Sequence, residues 1–182
     1  MSVHDTPAQI SLLTGKSAKY CLDANFFYEF WLPNRKFPKD IYDKLWEHMS
    51  SQISEGIFTS TEEVYRELKE SSDPNFQQWL SLHSDKLYVE DDIPVISLAT
   101  KILNNHPEIL FHKTKRNGAD AFLVATAKTY GLAVITEESR VTEADLQNNA
   151  CVKIPNLCDE LEVECYSILG YCKKEGIKLG PT

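Results

Sequence analysis

Acidic residues stand where apolar segments of this chain begin or end. Asp23 directly follows one apolar run, Asp120 opens another, and Glu137 and Glu138 follow a third. Carboxylate oxygens are the ligands that Mg²⁺ and Mn²⁺ prefer, and crowded carboxylates repel one another unless a cation neutralises them. A metal ion held by such acids lowers the pKa of a bound water and stabilises charge on a phosphate during in-line displacement. Brought together, these acids can therefore carry out metal-assisted hydrolysis of a phosphate ester.

Two further acids, Glu63 and Glu67, lie one turn apart on one face of a predicted helix. Ser60 or Thr61 can cap this helix, and Glu63 follows Ser60 by three residues, as in a capping box. A solvated helix face explains the same two glutamates without any chemistry. Their position therefore leaves both interpretations open.

The other acids also have ordinary structural explanations. An aspartate near a helix start, such as Asp120, is most often a cap, and glutamates after a strand are often solvated loop residues. Asp23 is the hardest to explain in this way, because it lies between an apolar strand and the apolar pair Phe26 and Phe27. A shared site is indicated only by all these positions together.

Alternating strands and helices must position these acids. The patterning predicts helices near 41–54, 75–84, 94–104, 118–130, 157–161 and 167–175, and strands near 19–23, 57–59, 86–89, 132–135, 152–154 and 163–165. This order predicts an α/β fold with a central, mainly parallel sheet flanked by helices. Functional groups in such sheets gather outside the carboxyl ends of the strands. We therefore expect the strand-end acids, together with Glu67 and Asp120 from helices, to face one crevice.

Length and charge restrict the possible classes of protein. A chain of 182 residues with 42% hydrophobic and 25% charged residues is expected to form one globular domain, with a core over about 19–140 and an extension over about 150–182. A net charge of -8 argues against binding nucleic acid through bulk positive charge, although a local basic patch remains compatible with it.

The cysteines and the apolar runs indicate the compartment. Five cysteines, an odd number without any C-x-x-C spacing, argue against a disulfide framework and against a structural zinc site. We expect them to be buried small hydrophobic residues. No apolar run approaches the roughly 18–20 residues of a membrane helix, and the first residues lack the pattern of a secretory signal. A cytoplasmic protein that does not enter the membrane is the expectation.

Four segments together resemble the PIN-domain family. They are YCLDANFF at 20–27, FTSTEEVYREL at 58–68, GADAFLVATAKTYGL at 118–132 and AVITEE at 133–138. They occur in the order of the family, and the resemblance covers about residues 19–140. The later segment KIPNLCDELEVEC at 153–165 resembles a bacterial branch of PIN-like proteins that carries Ile-Pro and Cys after the core. Toxins of the VapC type are better-known relatives.

The resemblance implies a PIN-like three-layer sandwich and a metal-dependent endoribonuclease that uses Mg²⁺ or Mn²⁺. By motif position the catalytic and metal-binding acids are Asp23, Glu67, Asp120 and Glu138. Asp23 and Asp120 are expected to bind the ion directly, and Glu67 and Glu138 to act through water. Glu63 is the alternative second acid, and Glu137 the alternative fourth.

Three polar residues match supporting positions of the family, namely Asn25, Ser60 and Thr136. The chain departs from the family pattern at Ala24, where many members carry a hydroxyl, and at the fourth acid, which is a glutamate where Asp or Asn is usual. The second departure lengthens the reach of the carboxylate to a metal ion.

RNA is the substrate that the resemblance implies, and an antitoxin protein is the implied partner, with a homodimer as a further possibility. Basic residues that can contact RNA phosphates lie after the first motif, at Arg35, Lys36 and Lys39, and before Asp120, at His112, Lys113, Lys115 and Arg116. Nearby aromatic residues, Tyr28, Phe30 and Trp31, can stack on unpaired bases. Taken singly, each basic residue is better explained as part of a solvated loop, and each aromatic residue as part of the core.

Two other functions remain open. One is a PIN-fold binding protein without activity, against which the presence of all four acids argues. The other is a phosphatase with Asp23 as nucleophile, which is weakened by the absence of a second acid at position 25, occupied by Asn25.

Overall fold

The computed structural model describes residues 18–32, 34–111, 118–148 and 150–178. Within these residues five parallel strands form one sheet in the order β3-β2-β1-β4-β5. The strands are β1 Tyr20–Leu22, β2 Phe58–Thr61, β3 Tyr88–Val89, β4 Ala133–Ile135 and β5 Cys165–Tyr166. Because all five run in the same direction, their carboxyl ends meet at one edge of the sheet.

Helices connect the strands, as parallel pairing requires. They are α1 Ala24–Trp31, α2 Asp43–Ser54, α3 Glu62–Lys69, α4 Pro74–Leu87, α5 Ile93–Asn105, α6 Glu108–Phe111, α7 Ala119–Tyr130, α8 Glu143–Gln147, α9 Ile154–Glu160 and α10 Ile168–Lys174. No helix within the described residues combines the length and the apolar character that crossing a bilayer requires. The predicted α/β sandwich with a parallel central sheet is confirmed.

Helix α7 is buried almost all round, because it lies between the sheet and α5 and packs on β1 and β2. This explains its small and apolar sequence, in which Ala121, Leu123 and Val124 are fully enclosed. Gly131 ends the helix in the left-handed region, at φ 67°, and the chain then enters β4. The first turn of α7 is thereby directed to the carboxyl edge of the sheet.

Three predicted strands differ from the structure. The one expected at 163–165 shares only Cys165 with β5. The segment 152–154 is not a strand, since Ile154 begins α9 and Pro155 occupies its first turn, where a missing N–H costs nothing. The segment 86–89 is a strand only over β3, because α4 continues to Leu87. The last two segments are short apolar runs, whose periodicity cannot separate a strand from a buried helix end.

Candidate active site

Asp23 is held at the carboxyl end of β1 by groups from two other elements. Its backbone N–H donates to the carbonyl of Ile135 over 3.1 Å, which continues the pairing of β1 with β4. Its carboxylate oxygen Oδ2 accepts hydrogen bonds from Asn25 Nδ2 at 2.9 Å and from Thr136 Oγ1 at 2.8 Å. Only 2% of Asp23 is exposed. A buried acid is thus fixed by neutral donors, which stabilise its negative charge.

Thr136 connects this acid to the next one. Its hydroxyl donates to Asp23 and accepts the backbone N–H of Glu138 at 3.1 Å, so the turn after β4 is tied to β1. The carboxylate of Glu138 accepts the N–H of Ile154 at 3.2 Å and lies 3.6 Å from the Lys153 ammonium. The first turn of α9 therefore positions Glu138, since helix N-termini attract carboxylates.

Glu137 is used differently from its neighbour Glu138. Its carboxylate accepts the N–H of Ile168 at the start of α10 and contacts the Lys36 ammonium, both at 2.7 Å. This hydrogen bond and charge raise the pKa of Lys36. Glu137 thus joins the C-terminal segment to the loop after α1.

Asp120 lies in the first turn of α7, with 6% of its surface exposed. Burial raises the pKa of the Cys151 thiol, and both Asp120 and Glu138 are among the nearby carboxylates that raise it further. Both carboxylates therefore influence the same thiol. Asp120 lies in the first turn of α7, and Thr136 links Asp23 to the backbone of Glu138 at the end of β4.

The segment around Ser60 supports the same edge. The buried Ser60 hydroxyl donates to the Leu22 carbonyl at 2.7 Å, one residue before Asp23. Of the two predicted caps it is Thr61 that accepts the N–H of Val64, at 3.3 Å. Ser60 is consequently free of the capping role and ties β2 to β1.

The second acid lies on α3, which packs against α1 and α7. Glu67 is half-buried, and its backbone carbonyl accepts the Tyr28 hydroxyl at 3.4 Å. Glu63 is only 8% exposed and faces Asp91, a residue that the motif analysis missed. Two acids, one near each end of α3, are thus candidates for this position.

The buried Glu63 and the half-buried Asp91 form an acid pair. The two acids occupy equivalent positions after neighbouring strands. Thr61 of β2 pairs with Val89 of β3, and Glu63 and Asp91 each come two residues after the paired residue of their own strand. Burial and the neighbouring Glu63 raise the pKa of Asp91 to about 7. Among the described residues, Glu63 Oε2 and Asp91 Oδ1 have no hydrogen-bond donor. Applying the strand-end argument to the short third strand would have identified Asp91.

The basic and aromatic residues fall into two groups. Lys113, Lys115 and Arg116, with His112, lie outside the described residues. Arg35 and Lys36 are exposed but lie beside acids, Arg35 at 3.6 Å from Glu29. The rings of Phe30 and Trp31 pack against Trp46, and the Lys39 ammonium lies 4.5 Å from the Trp31 ring centre. Phe30 belongs to the core, so its packing does not support base stacking, whereas Trp31 and Tyr28 are half-buried and pack against the core.

The donor set suits a hard divalent cation, because Asp23 and Asp120 supply oxygen atoms from buried carboxylates. Within the described residues, no three His, Cys, Asp or Glu side chains approach closely enough to ligate one ion together. Mg²⁺ requires fewer protein ligands than that, since it keeps several waters and is commonly held by one or two carboxylates plus a substrate phosphate. The residues fit an ion bound in this open manner.

The chain is similar to known proteins in sequence and in structure. The sequence model of the family described as Domain of unknown function (DUF4411) matches residues 20–179. No curated protein matches the sequence. A crystal structure of FitAcB from Neisseria gonorrhoeae is 15% identical and covers 82% of this chain and 98% of its own, with a TM-score of 0.46. A structure of FitAB bound to an IR36 DNA fragment is 14% identical and covers 82% and 94%, with a TM-score of 0.48. Both superpositions are too loose to identify a shared site.

Proposed function

The chain belongs to the family described as Domain of unknown function (DUF4411), and we propose that it is a metal-dependent endoribonuclease. The observation that carries the proposal is the fixed carboxylate of Asp23, which Thr136 links to Glu138, together with the position of Asp120 in the first turn of α7. Buried acids gathered at strand ends, with polar donors from other elements, are what a divalent cation and a phosphate ester need.

In this proposal Asp23 and Asp120 hold Mg²⁺ or Mn²⁺ directly, and Glu67 and Glu138 act through water. The ion supplies a more acidic bound water and stabilises charge on the scissile phosphate. Asn25 and Thr136 orient the Asp23 carboxylate by donating hydrogen bonds to it. Such supporting donors fix the geometry of a ligand and tune its basicity.

The proposed substrate is RNA, and the proposed partner is an antitoxin protein that restrains the nuclease. Both follow from the resemblance of the four sequence segments to PIN-type toxins. With a net charge of -8, substrate approach depends on local basic residues such as the segment 113–116 before Asp120. A homodimer and a cytoplasmic location belong to the same proposal.

A binding protein without activity is the alternative that one observation favours. The carboxylate of Glu138 is already engaged by Ile154 and Lys153, which reduces the negative charge offered to an ion. A phosphatase with Asp23 as nucleophile is less favoured, because Asn25 donates to Asp23 where a second acid is needed.

Incubation of the purified protein with total RNA in Mg²⁺, in Mn²⁺ and in EDTA tests the proposal. Metal-dependent cleavage that is lost in Asp23→Asn supports it. Asp85→Asn is the matched control, because Asp85 is an exposed aspartate on α4, away from the acidic edge. Absence of cleavage with either metal would favour the binding protein, and a trapped phospho-Asp23 would favour the phosphatase.

A further inference from the structure

An aromatic residue, Tyr166, lies at the carboxyl edge of the sheet beside the residues that hold Asp23. Its backbone carbonyl accepts the N–H of Thr136 at 3.0 Å, and the Thr136 hydroxyl donates to the Asp23 carboxylate. Tyr166 ends β5 and Asp23 follows β1, with β4 between them, so two strand spacings of together about 10 Å separate their backbones. Tyr166 is thus a neighbour of the candidate metal-binding acids, although the sequence motifs do not include it.

Tyr166 also lines a cleft that reaches these acids. The cleft has a volume of about 290 Å³, and its lining includes Thr136 and Glu138 together with Tyr166. Pockets for small ligands begin at about this size, roughly 300 Å³. The exposed residues Ser139 and Ser167 add hydroxyl groups to the lining. An aromatic ring with polar groups around it suits a flat ligand that can form hydrogen bonds at its edge, such as a nucleobase.

The Tyr166 ring is held in place by its own surroundings. Its hydroxyl donates to the Glu164 carboxylate at 2.6 Å, and the Lys174 ammonium lies 5.5 Å from the ring centre. Gly170 of α10 packs beside it, since a Cβ at this glycine would lie 3.5 Å from Tyr166 Cβ and 3.7 Å from Cδ1. The residue remains half-buried, so part of it is accessible from the cleft. A ring fixed in this way loses little conformational entropy when a ligand stacks on it.

The cations near the cleft are each paired with an acid. The pairs are Arg140 with Asp159, Lys174 with Glu164 and Lys153 with Glu138. They offset the repulsion between this acidic chain and a phosphate backbone, but they do not form a basic patch. Binding of a nucleic acid at the cleft therefore depends on stacking more than on charge.

We propose that this cleft binds one unpaired base of an RNA strand, next to the phosphate that is cleaved, and that Tyr166 stacks on this base. A base that is paired within a duplex cannot reach the ring, so the cleft selects single-stranded RNA. Because every base has a face that can stack, this subsite positions the strand without reading its sequence. The identity of the ligand rests on the proposed ribonuclease function.

Photo-crosslinking of the full-length parent protein tests the contact directly. A short single-stranded RNA containing 4-thiouridine is irradiated with the protein in Ca²⁺, which neutralises the carboxylates, and the crosslinked peptide is identified by mass spectrometry. We expect the crosslink at Tyr166 or a residue adjacent to it, and suppression by unlabelled single-stranded RNA far better than by an RNA duplex. A crosslink confined to other segments, or equal competition by the duplex, overturns the inference.

Replacement of the ring measures its contribution to binding. Tyr166→Leu should weaken binding of the same RNA by about 5- to 100-fold, whereas Tyr166→Phe retains the ring and should bind like the parent. The ratio between these two variants should be similar at low and high salt, because stacking releases no counterions. Tyr88→Leu is the matched control, since Tyr88 is also half-buried and begins the two-residue strand at the opposite edge of the sheet. Fluorescence anisotropy measures the affinities, and melting temperatures show which variants are folded.

The outcomes separate this subsite from the proposed nuclease. Equal binding by folded Tyr166→Leu and the parent, or an equal loss in Tyr88→Leu, overturns the subsite even if the parent cleaves RNA. Where cleavage occurs, Tyr166→Leu should raise KM by a similar factor and change kcat little, because the ring binds a part of the RNA that does not react. If Tyr166→Leu does not fold, the crosslink on the parent decides. A parent that crosslinks through Tyr166 but never cleaves RNA supports the subsite and counts against the proposed function.

Discussion

Two groups of acids lie near the carboxyl edge of the sheet, and they are held in opposite ways. Around Asp23, donors arrive from other elements, with Asn25 and Thr136 both bonded to its Oδ2. In the pair Glu63 and Asp91, each carboxylate faces the other, and one oxygen of each has no donor among the described residues. The first arrangement surrounds a carboxylate with hydrogen-bond donors, while the second raises the pKa of Asp91. Position at a strand end is therefore insufficient, and the neighbouring donors decide what an acid can do.

The largest effect is expected for Asp120→Asn, which tests whether the first group of acids binds a metal ion. The amide has nearly the same size, so the fold should be retained. Removal of one acid from a crowded edge should leave the thermal stability of the metal-free protein unchanged or higher. We expect cleavage to fall by about 100-fold or more, beyond what loss of a supporting residue costs. The thermal stabilisation that Mn²⁺ gives the parent should also disappear. Melting temperatures with and without Mn²⁺, beside a cleavage assay, measure both effects.

Asp85→Asn serves as the control for this variant and should retain both responses. Full activity of Asp120→Asn, with a stability loss of up to about 1 kcal/mol from a weakened helix start, would reduce Asp120 to an ordinary cap.

Replacement of the Thr136 hydroxyl tests whether donors distinguish the two acid groups. Thr136→Val should raise the Mn²⁺ concentration needed for half-maximal cleavage by about 10–100-fold. It should also lower the free energy of unfolding by about 1–3 kcal/mol, because a buried acid loses a donor. Metal titration and urea denaturation measure these changes. Thr136→Ser restores the hydroxyl and should recover the metal response; equal responses of the Val and Ser variants would exclude a role for this hydrogen bond.

For the pair Glu63 and Asp91 we expect the opposite effect: removal of a carboxylate should stabilise the fold, by an amount that depends on pH. The pKa of Asp91 in the folded state, about 7, lies above its ordinary value of 3.8. The folded protein therefore binds more protons than the unfolded chain between these values, and stability falls as the pH rises through that window. Asp91→Asn should raise the free energy of unfolding by about 1 kcal/mol at pH 8, a value reduced for partial solvent screening, and change it little at pH 4.

Urea denaturation across this pH range measures the effect of Asp91→Asn. Glu90→Gln is the control, since Glu90 is exposed and adjacent in the chain. A parallel pH dependence of the Asp91→Asn and parent proteins would show that the pair does not share a proton.

The smallest effect is expected for replacement of Glu137. Comparison with the same replacement of Glu138 distinguishes a structural glutamate from a catalytic one. Glu137→Gln weakens the contacts to Lys36 and Ile168, and should cost less than about 1 kcal/mol because Lys36 is exposed. Cleavage should remain at the parent level, whereas Glu138→Gln should reduce it. Assay of the two variants side by side decides which glutamate is the fourth acid, and a larger loss for Glu137→Gln would reverse the assignment.

Local features of this chain were readable from its sequence. The order of strands and helices, the end of α7 at Gly131 and the capping segment before α3 each depend on a few neighbouring residues. Periodicity and capping chemistry act over this short range, so they can be recognised without the fold. The prediction of a strand at 152–154 was wrong, because a short apolar run fits two backbone conformations. In addition, the backbone N–H of Ile154 donates to the distant carboxylate of Glu138.

Contacts between distant segments were decided only by the tertiary structure. Thr136 and Asp23 are separated by 113 residues and meet because β4 pairs with β1. Glu63 and Asp91 come close together because β3 pairs with β2. The sequence by itself determined that acids follow apolar strands, since a strand and its end are local. Which of those acids obtains donors, and which faces another acid, depends on strand order and burial, because the energy of a charge is set by the groups that the fold brings around it.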